Sequence, residues 1–351
     1  MKKFISAVLS LLILLSLCSC SADNSVQKKE MFKKDFIDLF DTASSITAAD
    51  ESQQSFNEHF EAVYDELEEY SRLFDIYNSY GDLVNLKYIN ENAGASPVKA
   101  DEKILDLLEY AVKAYDITQG RVNIMLGAVL SVWHAERENG IASPEGARLP
   151  DKSLLQEKAK SADISNLVID RENGTVFFKN PDMRLDVGAI AKGYVCEKIS
   201  EFIVENNIWS SALINLGGNI KTVGYKYDDG KTEFSVGIES PSGSDYVCII
   251  NASCGKTAAT AGDYQRYYTV NGKKYCHIIN PETLMPAEYV SAVCVVCNDS
   301  ALADSLSTAL FNMSVENGRA FVESLGGVEA VWTDKNGKVY YSSGFEDLIR
   351  K

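Results

Sequence analysis

Four stretches of this 351-residue chain place small residues beside groups that bind phosphate, hold a hard cation or move a proton. The first is DVGAIAKG at 186–193. Asp186 leaves what reads as a strand over 184–187, small residues then let backbone approach a ligand, and Lys192 falls in the first turn of a helix expected over 191–206. Backbone N–H groups at a helix N-terminus, together with a lysine, suit a phosphate. The run has neither the Walker order GxxxxGK[ST] nor the GxGxxG spacing, and it reads also as a plain strand-to-helix turn. The second stretch, NLGGN at 215–219, follows a strand with two glycines, which serve a tight turn or a ligand loop alike. The third runs from TAGDY at 260–264 to HIINP at 277–281. There His277 leaves a hairpin strand just before a proline-containing turn, a position suited to proton transfer or to polarising a phosphate oxygen. The other two histidines read more plainly, His59 as solvated on an amphipathic helix and His134 as packing after an apolar stretch. The fourth stretch is ADSLST at 303–308. On a helix expected over 300–312, Asp304, Ser307 and Thr308 share one face. One carboxylate and two hydroxyls are hard-oxygen ligands for a Mg²⁺ shared with a substrate phosphate, and they read equally as a polar, capped helix face.

These groups need a frame. Residues 55–77 carry Phe56, Phe60, Val63, Tyr64, Leu67 and Phe74 at helical spacing, with acids opposite. Asp101 is the expected N-cap of a second helix with Ile104, Leu107, Leu108, Ala111 and Val112 on its apolar stripe, and a third begins near Asp151. Asn-Gly pairs at 173–174, 271–272 and 336–337 mark three hairpins. Helices and hairpins intermix without regular βαβ alternation, which predicts an α+β fold on antiparallel or mixed sheet. Nothing after residue 40 reads as a linker between two domains.

The composition, 46% hydrophobic and 24% charged, suits a globular core. A net charge of −16 argues against nucleic acid as a partner and requires a local cation for any anionic ligand. At the N-terminus, Lys2 and Lys3 precede an apolar run over 4–17 and then LCSC at 17–20. That pattern predicts a bacterial lipoprotein signal over 1–19, lipidation at Cys20, a polar tether over 20–36 and a domain over 37–351, held at the extracytoplasmic face of the cell membrane. Cys294 and Cys297 form a CxxC inside the apolar run 290–297, where i and i+3 of a strand face opposite sides, so they read as core thiols.

Taken in order, DIT at 116–118, the four stretches above and AGDY at 261–264 resemble the FAD:protein FMN transferase family, the ApbE-type flavin transferases, from about residue 40 to 345. The resemblance implies a single ApbE-like domain and FAD as substrate. It implies FAD contacts at Phe40, Tyr77, Ala114, Tyr115, Asp116, Asp186, Lys192 and Ile279. It implies Mg²⁺ held by the Ala189 carbonyl with Asp304, Ser307 and Thr308, and His277 as the residue needed for transfer. The acceptor it implies is a Ser or Thr hydroxyl in a short motif of an exported or membrane redox protein, with AMP released. Three positions depart from the family pattern: Asn280 stands where Asp is usual, Leu284 where Gly is usual, and Ala261 where Ser is usual. Two other activities fit the same residues, a Mg²⁺-dependent FAD pyrophosphatase and a non-catalytic flavin-binding lipoprotein.

Overall fold

The structure is a computed structural model that describes residues 29–243 and 245–351. The signal segment and Cys20 lie outside the described residues. Among the described residues, no helix is long and apolar enough to cross a membrane.

An eight-stranded sheet forms the frame. Its strands are Glu30–Phe36, Ser44–Asp50, Ala212–Leu216, Asn219–Val223, Thr257–Gly262, Ala292–Cys297, Glu329–Thr333 and Val339–Tyr341, side by side in chain order. Every neighbouring pair is antiparallel. The expected α+β class holds, and the sheet is antiparallel rather than mixed. Residues 30–36, assigned above to the tether, are instead the first strand, paired from Glu30 opposite Asp50 to Phe36 opposite Ser44.

Helices cover one face. Gln53–Leu73 starts on Ser52, whose side chain accepts the Ser55 N–H, and buries Phe56, Phe60, Val63, Leu67, Tyr70 and Leu73. It stops four residues short of the expected end, so Tyr77 stands in the following loop. Ala191–Glu205 and Ser300–Phe311 lie beside each other on the same face. The other face is covered by the hairpin Phe234–Glu239/Tyr246–Ala252 and by Phe345. Ala292–Cys297 is therefore buried on both sides, which explains its unbroken apolar sequence. Val293, Val295 and Cys297 face the helices, whereas Cys294 and Val296 face the hairpin, so the CxxC thiols do lie on opposite faces. All six described cysteines are free.

The three Asn-Gly hairpins form as expected, at 170/175, 270/273 and 333/339. The helices capped by Asp101 and Asp151 form over Glu102–Ile117 and Lys152–Ala159. The strand expected over 184–187 does not. That segment has no ladder partner. Asn90, buried, holds it instead: its Oδ1 accepts the Leu185 N–H (2.8 Å) and its Nδ2 donates to the Leu185 carbonyl (3.0 Å). The Asp186 N–H then donates to the Ile124 carbonyl (2.7 Å).

Candidate active site

The polar stretches converge at one end of the sheet. NLGGN is a two-residue hairpin turn, with Gly217 at φ 56° and Gly218 at φ 89°. Both are left-handed positions that glycine occupies without penalty. A Cβ on Gly217 would lie 2.3 Å from Thr42 Oγ1, so this turn packs directly on the 37–43 loop. In that loop Phe40 (φ 56°) and Asp41 (φ 50°) are both left-handed. The Arg266 guanidinium ties the loop to the His277 hairpin, donating to the Asp41 carbonyl (2.8 Å).

His277 follows the strand Lys273–Cys276. Its ring is open to solvent, and its backbone N–H (3.1 Å) and Nδ1 (3.2 Å) both meet the Arg266 carbonyl. A carbonyl only accepts, so Nδ1 carries the hydrogen and Nε2 keeps a free lone pair. The surrounding protein walls, then the charges of Arg266, Lys192 and Arg137, push its pKa down to about 4. The imidazole is neutral at physiological pH.

Tyr77 is 52% exposed, on a loop braced by Asp75 and Asn85. Its ring lies 5.3 Å from that of His134, centroid to centroid. His134 accepts at Nδ1 from Arg137 (2.8 Å). Both sit on the helix Gly127–Ala142, which sequence reasoning missed, and His134 is joined to Tyr77 and Arg137 rather than only packing. Asp186 joins the cluster. Loss of water raises its carboxyl above the usual range, against the Gly188 N–H and the charges of His134, Lys192 and Arg137.

Behind the cleft, Asp304 is 6% exposed and forms no ion pair among the described residues. Its Oδ2 accepts the Gly193 N–H (2.8 Å). Burial raises its carboxyl, opposed by Lys192, that N–H and Asn219. A Cβ on Gly193 would fall 2.3 Å from both Asp304 Cβ and the Ser300 carbonyl oxygen, so glycine is what lets the two helices meet here. Ser307 donates to the Asp304 carbonyl (2.8 Å) and keeps its lone pairs, and Thr308 is half-buried one turn beyond Asp304. Ala189 lies in the turn that opens the Ala191–Glu205 helix. The Asn219 Oδ1 is buried without a hydrogen-bond partner. A buried carboxylate, the orphaned amide oxygen of Asn219 and two hydroxyls on the Asp304 helix are hard-oxygen donors of the kind that fits a divalent cation. No group of three or more His, Cys, Asp or Glu is placed to hold a metal ion among the described residues.

The remaining expected residues are placed differently. Ala114 is buried, and its carbonyl receives the Thr118 N–H (2.9 Å) and hydroxyl (2.7 Å). Tyr115 is half-buried beside Gly120, and Asp116 is exposed at the end of the same helix. Among the described residues, no hydrogen bond or ion pair joins these three to His277 or Asp304. Ile279 is buried against the Gly127–Ala142 helix with Trp133 and Tyr268. The departures from the family pattern keep local order. Asn280 Oδ1 accepts the Glu282 (2.9 Å) and Thr283 (3.0 Å) N–H groups, a task an amide performs as a carboxylate does. Leu284 takes φ 59°, which explains why glycine is usual there, and its carbonyl accepts from Trp133 Nε1 (2.9 Å). Sequence reasoning missed Arg137 and Arg266. Only the i, i+3 spacing of His134 and Arg137 hinted at the first.

Comparison with known proteins agrees with this geometry. The ApbE family model matches residues 40–332. The FAD:protein FMN transferase of Treponema pallidum is 32% identical over 278 residues, spanning 76% of this chain and 75% of that protein. The FAD:protein FMN transferase of Klebsiella pneumoniae is 28% identical over 282 residues, 78% and 84%. The crystal structure of the ApbE protein of Thermotoga maritima superposes with a TM-score of 0.79 at 26% identity, covering 92% of this chain and all of that one. By its sequence match and its fold, the chain belongs to the ApbE family.

Proposed function

We propose that the chain transfers the FMN half of FAD to a Ser or Thr hydroxyl of an exported or membrane redox protein, releasing AMP, with Mg²⁺ at the Asp304 pocket. The chain is an enzyme of the FAD:protein FMN transferase class, the class its relatives are named for. The observation that carries the finer reading is His277: a neutral imidazole with Nε2 free, in an open cleft faced by Arg266, Lys192 and Arg137.

FAD is a dianionic diphosphate, and the protein is strongly acidic. Lys192 and the unoccupied-by-cap start of its helix, where Ile190 supplies no side-chain hydrogen bond, offer a local positive field to the diphosphate. Arg137 and Arg266 add charge from the opposite walls. Tyr77 and His134 present ring surface to the flavin, with Phe40 at the rim. Asp304, Ser307, Thr308 and the Ala189 carbonyl would hold Mg²⁺. When bound, the ion neutralises diphosphate charge that otherwise repels an incoming oxygen. His277 Nε2 takes the acceptor hydroxyl proton as its oxygen bonds to the FMN phosphorus. The bond from that phosphorus to the AMP oxygen breaks, and AMP leaves with the electron pair. Positioning and charge stabilisation dominate such phosphoryl transfers. Ala114, Tyr115 and Asp116 are assigned to the adenosine side.

The same reading places the protein at the extracytoplasmic membrane face, anchored through Cys20. Labelling cells with an alkyne fatty acid tests the anchor: the Cys20→Ala protein should lose the label, and retained label would refute it. For the chemistry, AMP, free FMN and protein-bound flavin are quantified after incubation with FAD, Mg²⁺ and an acceptor domain. AMP equal to bound flavin supports transfer. AMP equal to free FMN, with the acceptor unmodified, identifies a pyrophosphatase.

A further inference from the structure

We propose that Lys221 and Glu197 form a positioning pair that fixes the Asp304 carboxylate, one helical turn behind the cation pocket. The inference rests on Asp304 as the metal carboxylate, as read above. Lys221 is 4% exposed on the strand Asn219–Val223. Its Nζ donates to both Glu197 oxygens (3.0 and 2.9 Å) and to the Asn298 carbonyl (2.6 Å). Glu197 Oε2 in turn accepts the Ser300 N–H (2.6 Å), the first residue of the helix that carries Asp304.

The spacing makes this a second rung of one ladder. Glu197 follows Gly193 by four residues, and Asp304 follows Ser300 by four, so each pair stands on one helix face. One rung is Gly193 N–H to Asp304 Oδ2, and the other is Ser300 N–H to Glu197. Lys221 lies two residues after Asn219, on the same strand face, and so locks that ladder to the strand carrying the orphaned amide oxygen. The ion pair and the Ser300 N–H bond together join the strand carrying Asn219, the helix that follows the Ala189 turn, and the helix carrying Asp304, Ser307 and Thr308. Burying such a pair is weak evidence of stability, because an apolar pair of equal volume often serves the fold as well. Its geometric role accounts for its presence here.

The test uses the full-length protein with Lys221→Met and Glu197→Gln, the latter keeping an acceptor for the Ser300 N–H. Mn²⁺ binding in the presence of FAD is read by electron paramagnetic resonance, beside thermal unfolding and transfer kinetics. Both variants should weaken Mn²⁺ binding by roughly 10–100-fold, the usual cost of losing a partner behind a metal ligand. Half-saturating Mg²⁺ for transfer should rise in parallel, with the KM for acceptor unchanged. A lowered Tm with parental Mn²⁺ affinity would overturn the proposal and leave the pair a structural one. If Lys221→Met does not fold, Glu197→Gln carries the same reading. A parental protein that binds no Mn²⁺ would instead overturn the assignment of Asp304, and this inference with it.

Discussion

The strand Ser44–Asp50 runs roughly 20 Å along its axis, and its two ends differ in how they treat buried charge. At the far end, Asp50 is saturated. His59 Nδ1 and Trp209 Nε1 both lie 2.7 Å from its Oδ2, and the Glu51 N–H donates to Oδ1 (2.8 Å). Burial alone would raise its carboxyl, but hydrogen bonds from His59, Ser55, Trp209 and Glu51 outweigh that and leave it below the usual range. His59, read from sequence as solvated, is thus half of a clamp joining strand, helix and Trp209. At the near end, Asp186 and Asp304 are raised, and His277 is lowered. Each near-end group is held away from its charged form, with hydrogen-bonding capacity to spare. A saturated carboxylate stabilises the fold, whereas undersupplied groups wait for a ligand.

That contrast breaks most visibly at His277. His277→Ala should lower transfer by roughly 10²–10⁴-fold, the range for loss of a general base, with little change in Tm because the ring is exposed. A steady-state assay beside thermal unfolding checks both. Next, Asp304→Asn should abolish the response to Mg²⁺ while leaving metal-free Tm equal or higher, since it removes a buried charge without an ion-pair partner. Asp50→Asn should do the reverse, keeping Mg²⁺ dependence but losing about 1–3 kcal/mol of stability, measured by urea unfolding. A destabilised Asp304→Asn beside a neutral Asp50→Asn would invert the comparison.

Titration sharpens it further. The lowered Asp50 pKa contributes stability that is full above its unfolded value of 3.8 and is lost as pH falls through the folded pKa. Asp186 and Asp304, being raised, act with the opposite sign: protonating them as pH falls relieves a cost. For catalysis, kcat/KM reports the free enzyme. Its acid limb should fall near the His277 value of about 4, not near 6.5. Arg266→Met, which removes one of the charges pressing on the ring, should move that limb upward by a smaller amount. A limb fixed at 6.5 in both proteins would contradict the electrostatic picture.

Much of this frame was legible beforehand because it rests on local rules. Phe56, Phe60, Val63 and Leu67 write a helix in their spacing, and Asn-Gly writes a hairpin. The helix Gly127–Ala142 was illegible for the opposite reason. It begins and nearly ends in glycine, and its polar residues do not gather on one side. Strand Ser44–Asp50, SSITAAD, has few β-branched residues and owes its place to neighbours on both sides. The 184–187 segment reads as a strand, but its partner is the side chain of Asn90. At the candidate site, Asp304, Lys192, Asp186 and His277 stand out from their own motifs in the sequence. Arg137 was only hinted at, since it comes near His277 through long-range packing of the Gly127–Ala142 helix, and Arg266, which precedes His277 in the same hairpin, belongs to no motif.

The most direct test of the account is intact-mass spectrometry of a Thr-containing acceptor domain after incubation with FAD and Mg²⁺, using the parental protein and His277→Ala in parallel. One FMN joined to the acceptor through a phosphoester is expected, absent in the variant. An acceptor left unmodified by the parental protein, or modified equally by both, would contradict it.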